Sequence, residues 1–266
     1  MKIKSWRTFG RKIRSKPDPL LARLSELQNP ILVSGCQRSG GTMLAKTFNS
    51  HPEVYDFSWG KDAELDAAQL LAGYGEPKRL PPTDARLCLQ TTYLNERYHE
   101  YLEHQENFHL IWLIRNPHSV VYSMVYNWSR FALNEVFVSC GLQKADPTTK
   151  TRYDRFGCLG VPPIDRACYA YLGKLDQCNF LADRLDREYF LTIQYEELVQ
   201  NREALTRKLY NFVGLPQLVA TSENISQRSM QKSKNLSSKE RDRIEQICCS
   251  QYQATIESNT RESVRI

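Results

Sequence analysis

The stretch from Asn29 to Leu44 constrains the fold of this chain more than any other. Ile31, Leu32 and Val33 form a short apolar run with β-branched residues, the pattern of a strand buried on both faces. Gly35 ends the run, Gly40 and Gly41 supply a turn able to expose backbone N–H groups, and Thr42 opens a helix. Strand, glycine turn and helix N-terminus in this order make an anion site, because free amides point outward where the helix dipole is positive.

The spacing follows that of the loop that cradles nucleoside triphosphates, with one departure. That loop needs a lysine before its Ser/Thr to reach the β- and γ-phosphates, and Gly41 stands there. The later apolar strand Phe108–Ile114 runs into Arg115, where a nucleotidase wants an aspartate to help hold magnesium. The loop is therefore read as built for a phosphate without the γ-phosphate lysine or the metal carboxylate. Arg38 and Ser39 add anion-binding side chains to its amides. The plain alternative is a tight turn in an α/β fold.

Pro30 to Leu44 resembles the 5′-phosphosulfate loop of sulfotransferases that use 3′-phosphoadenosine 5′-phosphosulfate (PAPS), with Gln37 and Gly41 as departures from the bacterial and Golgi-type pattern. His51, Pro52, Glu53 and Val54 follow at the family's usual distance, and the resemblance covers roughly residues 30–245. It implies a three-layer, P-loop-like α/β fold with a central parallel β-sheet flanked by helices. It also implies that Arg38, Ser39, Gly40, Gly41, Thr42 and Met43 hold the 5′-phosphosulfate of PAPS, with no metal required.

With 266 residues the chain is long enough for one α/β domain with a sizeable core. The expected organisation is a basic N-terminal extension with a short helix over residues 1–28, the α/β domain over 29–254 and a loose tail over 255–266. The net charge of +6 owes much to Lys2, Lys4, Arg7, Arg11, Lys12, Arg14 and Lys16, which no acid offsets in residues 1–16. That segment reads as a helix with Ile3, Trp6, Phe9 and Ile13 on one side. It suggests peripheral contact with an anionic membrane, the alternative being a frayed basic tail. No apolar run approaches a membrane span and no signal-type apolar core is present, so a cytoplasmic protein, membrane-peripheral at most, is expected. The eight cysteines show no metal spacing and read as reduced, buried thiols. Nothing points to nucleic acid.

Further along, helical or strand patterns are expected for residues 42–49, 54–57, 61–72, 87–90, 93–105, 108–114, 117–128, 164–185, 189–193, 205–213 and 238–252. Residues 73–84 read as a Gly/Pro-rich loop and a candidate acceptor rim. Residues 132–163 lack clear periodicity and read as a lid or acceptor wall. Asn116 and Pro117 mark a helix start.

The resemblance assigns more residues. Arg115 at a strand end and Ser123 eight residues on look like the motif that holds the 3′-phosphate: a planar guanidinium fork plus one hydroxyl donor. Tyr195 stands where cytosolic members place a tyrosine against the adenine, and Lys234 falls in the polar segment 217–238, where the family closes a basic loop over the donor. The Asp-Lys-Thr-Pro segment of many bacterial members is replaced by Leu89 to Tyr93. Golgi tyrosine-sulfating members use a glutamate after the first helix; Asp56, Asp62 and Glu64 lie in that neighbourhood. Arg38, Asp62 and Glu64 are the catalytic candidates, Asp62 and Glu64 as bases, against the alternative of ordinary surface carboxylates. The resulting expectation is sulfuryl transfer from PAPS to a hydroxyl or amine of a small-molecule, glycan or lipid acceptor. A P-loop kinase-like enzyme and a non-catalytic nucleotide-binding relative are the alternatives.

Overall fold

The computed structural model describes residues 3–15, 18–57, 62–74, 84–218 and 231–263. Five parallel strands form one sheet: β1 (Ile31–Gly35), β2 (Val54–Tyr55), β3 (Arg86–Gln90), β4 (His109–Ile114) and β5 (Phe190–Gln194), in the order β2-β3-β1-β4-β5. β1 is central, with Leu32 opposite Leu89 on one side and Leu110 on the other. This burial explains its unbroken apolar run: every residue of β1 is buried.

Alternation along β4 divides the core into two layers. Leu110, Trp112 and Ile114 face one side, packed with helices α1 (Trp6–Ser15), α3 (Ala63–Leu71), α4 (Pro117–Tyr126) and α7 (Pro163–Ala182). Ile111 and Leu113 face the other, with α2 (Gly41–Asn49), α8 (Tyr195–Gln200) and α9 (Arg202–Val213). Helices on both faces of a parallel sheet are the expected three-layer architecture. From β1 the chain crosses past β3 to β2, and β3 crosses back over β1 to β4. The carboxyl edge at β1 is therefore a switch point, the usual ligand crevice of open α/β sheets.

Four expectations change. The segment after β3 is no α-helix but turns and short 3₁₀ helices, Tyr98–Glu103 and Gln105–Asn107. Asn95 contributes to this: its carbonyl accepts from Gln177 Nε2 at 2.7 Å, which draws it out of a helical ladder, and its side chain accepts from Gln37 Nε2 at 3.1 Å. Residues 132–163 are largely helical: α5 (Arg130–Val136) runs into a π-turn, Phe137–Gly141, and α6 (Pro147–Phe156) follows. Asp146 caps α6 ahead of Pro147, accepting from Thr149 N at 2.9 Å. The glycine at 141 serves close packing rather than a loop, since a Cβ there would lie 2.6 Å from the Ala170 backbone of α7. At the C-terminus, α10 (Ser238–Ile244) continues through a π-turn into α11 (Ser250–Ser263), so residues 255–263 are helical. Buried Thr255 accepts from Asn179 of α7 at 3.1 Å and holds it there.

The fourth change concerns residues 1–16. The helix forms, but its apolar side is spent inside the protein: Ile3 and Phe9 are buried in the main core and Trp6 and Ile13 pack against it. Buried Gln69 bonds both the N–H and the carbonyl of Ile3, at 2.6 and 3.0 Å. That apolar face is thus not available for membrane insertion, while Lys4, Arg7 and Arg11 remain exposed. Among the described residues no helix is long and apolar enough to cross a membrane. The expectations for residues 75–83, for Lys61 and for the polar segment 219–230 lie outside the described residues.

Candidate active site

The site grows from the ends of four strands. After β1, the loop turns through Arg38 in the left-handed region at φ 72° and Gly40 at φ 106° before α2 begins at Gly41. Arginine in that region is strained, a feature that clusters at ligand sites. The turn is closed by Ser39 N donating to the Cys36 carbonyl at 3.1 Å. In the first turn of α2 the Met43 and Leu44 amides donate to the Gly40 carbonyl at 3.0 and 3.2 Å, while those of Gly41 and Thr42 precede the first intrahelical bond, the place where a helix N-terminus receives an anion. Ser39 Oγ is buried with no hydrogen-bond partner among the described residues. A buried, unsatisfied hydroxyl is costly, and an anion seated in the loop would satisfy it.

After β4 comes Arg115, 6 % exposed, its guanidinium stacked 4.1 Å above the Tyr195 ring that follows β5. Its Nη1 reaches the Arg38 carbonyl at 3.4 Å, and its own carbonyl accepts from Tyr171 Oη of α7 at 2.7 Å. Burial pulls the Arg115 pKa below its ordinary value, with Tyr195 and Glu196 acting in the opposite sense. Ser123, in the second turn of α4, accepts from Arg38 Nε at 3.1 Å. Gly40 has to be glycine here, because a Cβ would stand 2.5 Å from the Tyr195 ring. Arg38, Gly40, Arg115, Ser123 and Tyr195 thus form one contiguous surface. Thr42, exposed in the first turn of α2, accepts from Gln90 Nε2 at 3.3 Å, and Met43 is half-buried beside it.

Lys234 is exposed in a 3₁₀ helix, Lys232–Asn235. Asn235 donates to Tyr122 Oη at 3.4 Å, which sets this segment against α4 next to Ser123. No contact joins the Lys234 side chain to Arg38 or Arg115 among the described residues.

The two candidate bases separate. Asp62 caps α3, accepting from Leu65 N at 3.0 Å, and its other oxygen accepts from the Trp6 indole at 2.8 Å. Glu64 points inward, is half-buried, and accepts a hydrogen bond from the Thr92 hydroxyl just past β3. The Thr92 carbonyl in turn accepts from Gln37 of the loop at 2.9 Å and from Lys174 Nζ of α7 at 3.0 Å. Desolvation pushes the Glu64 carboxyl up to about 6; Asp62 adds to the rise, while the Thr92 bond and Lys174 oppose it. Lys174 is 1 % exposed, and burial lowers its pKa.

Gln37, Thr92 and Lys174 escaped the sequence reading. Lys174 carried a signal: it stands on the inward stripe of α7 at helical spacing between Tyr171 and Cys178, where a lysine needs a buried partner. Among the described residues no group of three or more His, Cys, Asp or Glu is placed to hold a metal ion.

The sulfotransferase domain family matches residues 28–254. The chain belongs to the sulfotransferase family. Among solved structures, the sulfotransferase domain from the curacin biosynthetic pathway shares 15 % identity with it, covers 84 % of this chain and 98 % of its own, and superposes with a TM-score of 0.51. A mouse sulfotransferase complexed with PAP shares 14 % identity, with 86 % and 88 % covered and a TM-score of 0.47. A sulfotransferase from Alicyclobacillus acidocaldarius shares 13 %, with 85 % and 99 % covered and a TM-score of 0.45. At these identities the first likeness speaks for the fold alone. No curated protein sequence matches the chain.

Proposed function

We propose that this sulfotransferase moves a sulfuryl group from PAPS to a hydroxyl or amine of its acceptor. The observation that carries the reading is the contiguous surface of Arg38, Ser39, Gly40, Arg115, Ser123 and Tyr195 at the switch point, cationic, with a buried hydroxyl to satisfy. The loop amides of Gly40, Gly41 and Thr42, with the Ser39 and Thr42 hydroxyls, suit the 5′-phosphosulfate, and the Met43 amide, bonded to the Gly40 carbonyl, holds the turn that presents them. Arg115 and Ser123 suit the 3′-phosphate, and Tyr195 offers a ring edge to the adenine. Lys234 lies on a segment positioned to cover the donor from the α4 side.

The acceptor oxygen or nitrogen attacks sulfur as the bond to the bridging oxygen breaks, and adenosine 3′,5′-bisphosphate leaves. Arg38 and the loop amides stabilise charge developing on that oxygen. The acceptor's proton goes to Glu64, whose carboxylate is anchored by Thr92 and kept anionic at neutral pH with the help of Lys174. Asp62, with both oxygens engaged, is assigned to holding the first turn of α3 rather than to proton transfer.

Titration calorimetry tests the donor. Adenosine 3′,5′-bisphosphate is expected to bind without magnesium and ATP weakly; ATP binding that depends on magnesium and exceeds bisphosphate binding overturns the reading. A screen of radiolabelled donor against lipids, glycans, peptides and phenols tests turnover and identifies the acceptor.

A further inference from the structure

The N-terminal helix, whose sequence suggested a membrane contact, buries its apolar side in the core. The apolar side chains left outside are elsewhere. Among the described residues the most exposed large one is Leu159, at 92 %, and Phe156 close by is 59 % exposed. Both sit where α6 ends. Gly157, at φ 59°, turns the chain out of the helix into the short 3₁₀ turn Gly157–Gly160, so the two side chains crown a convex tip rather than line a groove.

The charges around the tip are sorted. At helical spacing, Arg152 and Arg155 share the outward side of α6 with Phe156, and all three are exposed; the Arg155 guanidinium lies 5.5 Å from the Phe156 ring centre. Asp154 lies to the other side, where with Lys150 and Val138 it lines an open cleft of 410 Å³ against the π-turn. Thr149 and Tyr153 face inward, tying α6 down: the Thr149 hydroxyl bonds Asp146 at 2.8 Å, and the Tyr153 ring packs on Phe137. The tip is therefore a firmly held, apolar-ended, positively collared projection.

We infer that this tip, Phe156 and Leu159 with Arg152 and Arg155 behind them, docks the protein on an anionic lipid surface. Charge and size select that partner. Two apolar side chains fall far short of the roughly 800 Å² per partner that a stable protein interface buries. A lipid interface accepts small apolar insertions, and arginines just behind them meet the anionic headgroups. The inference stands apart from the proposed chemistry, and donor binding is no part of it.

Sedimentation with sucrose-loaded vesicles tests it. The native chain is expected to associate with vesicles of phosphatidylcholine containing phosphatidylserine, more weakly with phosphatidylcholine alone, and less as salt rises. Leu159→Glu, Leu159→Ser and Phe156→Glu should each lower association about tenfold or more, as an exposed side chain is removed from the acyl boundary. Arg152→Gln with Arg155→Gln should lower it by about twenty-five-fold, roughly fivefold per charge. Thermal melts and binding of adenosine 3′,5′-bisphosphate should be unchanged in all of them. Three results would overturn the inference: no association of the native chain with the anionic vesicles, association undiminished by the Leu159 and Phe156 variants, or loss only with Arg7→Gln and Arg11→Gln on α1. Light scattering that shows pairing of chains abolished by Leu159→Glu would also overturn it, assigning the tip to a second copy instead.

Discussion

Arg115→Ala is the sharpest perturbation of the proposed donor site. The guanidinium is almost fully buried, stacked on Tyr195 and directed past the Arg38 carbonyl. Its burial disfavours the cation, so a phosphate seated against it restores much of what desolvation takes away. Losing a charge-assisted partner of this kind costs about 1.5–3 kcal/mol, or roughly ten- to over a hundredfold in affinity. A second, structural loss accompanies it, because the Tyr195 ring gives up a stacking partner worth about 0.5–2 kcal/mol. The two effects separate by ligand. The structural loss weakens adenosine 3′,5′-bisphosphate and adenosine 5′-monophosphate alike, whereas only the bisphosphate carries the 3′-phosphate. Calorimetry with both ligands, on samples whose melts are measured in parallel, should show the affinity ratio falling at least tenfold. Arg115→Lys should fall between, keeping the charge but losing the planar fork. An unchanged ratio in a folded Arg115→Ala protein would refute the 3′-phosphate assignment and, with it, most of the donor reading.

Other outcomes follow from the same geometry. Arg38→Ala should lower turnover by on the order of a hundredfold while weakening product binding far less; equal losses would make Arg38 a binding residue only. The acid limb of the rate should lie near pH 6, since Glu64 titrates at about 6 and only its ionised form accepts a proton; activity falls as pH falls through that value, and Glu64→Gln should abolish the limb along with most of the turnover. Stability has the opposite sign, because the folded-state pKa is raised: the contribution of this carboxyl is fully present below its ordinary range and lost as pH rises through about 6. Glu64→Gln should therefore melt higher than the native protein at pH 8, and an equal or lower melt would contradict the buried placement. Lys174→Met should move the acid limb upward, because Lys174 helps hold Glu64 ionised; an unmoved limb would disconnect the two. Gly40→Ala should cost about 1–3 kcal/mol by forcing the added Cβ into Tyr195, and should weaken donor binding at least tenfold; wild-type affinity would show that the ring yields freely.

Much of this site was legible because its parts are local. The loop from Gly35 to Thr42 is a continuous run, and Arg115 and Tyr195 each follow an apolar strand directly, so a parallel sheet brings all three to one edge. The bond from Arg38 to Ser123 joins residues 85 apart and was not foreseen, since Ser123 was expected beside Arg115. What the sequence hid depends on distant pairs. Thr92 matters because Gln37, Lys174 and Glu64 meet on it from three other elements, and no local pattern states that meeting. The helices of residues 130–156 were obscured by Gly141 and Pro147, which read as loop formers. The first allows close approach to α7, and the second opens a capped helix. Residues 1–16 misled for a different reason: an amphipathic cationic helix has the same pattern whether its apolar face meets lipid or the protein's own core, and only the partner residues Gln69, Tyr74 and Tyr93 decide.

The charges at the crevice are consistent with the anionic donor proposed above. Arg38 lies close enough to Arg115 to disfavour the charge on Arg115, and both stand near the positive end of α2. Glu196, the nearby carboxylate, is committed to the Asn116 amide at 3.1 Å, and its own pKa is raised by burial. The Arg38 backbone is strained, and the Ser39 hydroxyl has no partner among the described residues. On the proposed reading, a phosphate in the loop would relieve these features at once by screening the two arginines, taking the Gly41 and Thr42 amides and satisfying Ser39. A ligand that binds only the folded state raises the melting temperature according to its concentration relative to Kd. Here the rise should exceed that of a neutral adenosine, because the relief comes from the phosphates. Adenosine as effective as the bisphosphate at equal occupancy of its site would mean that the positive cluster serves the fold and not a ligand.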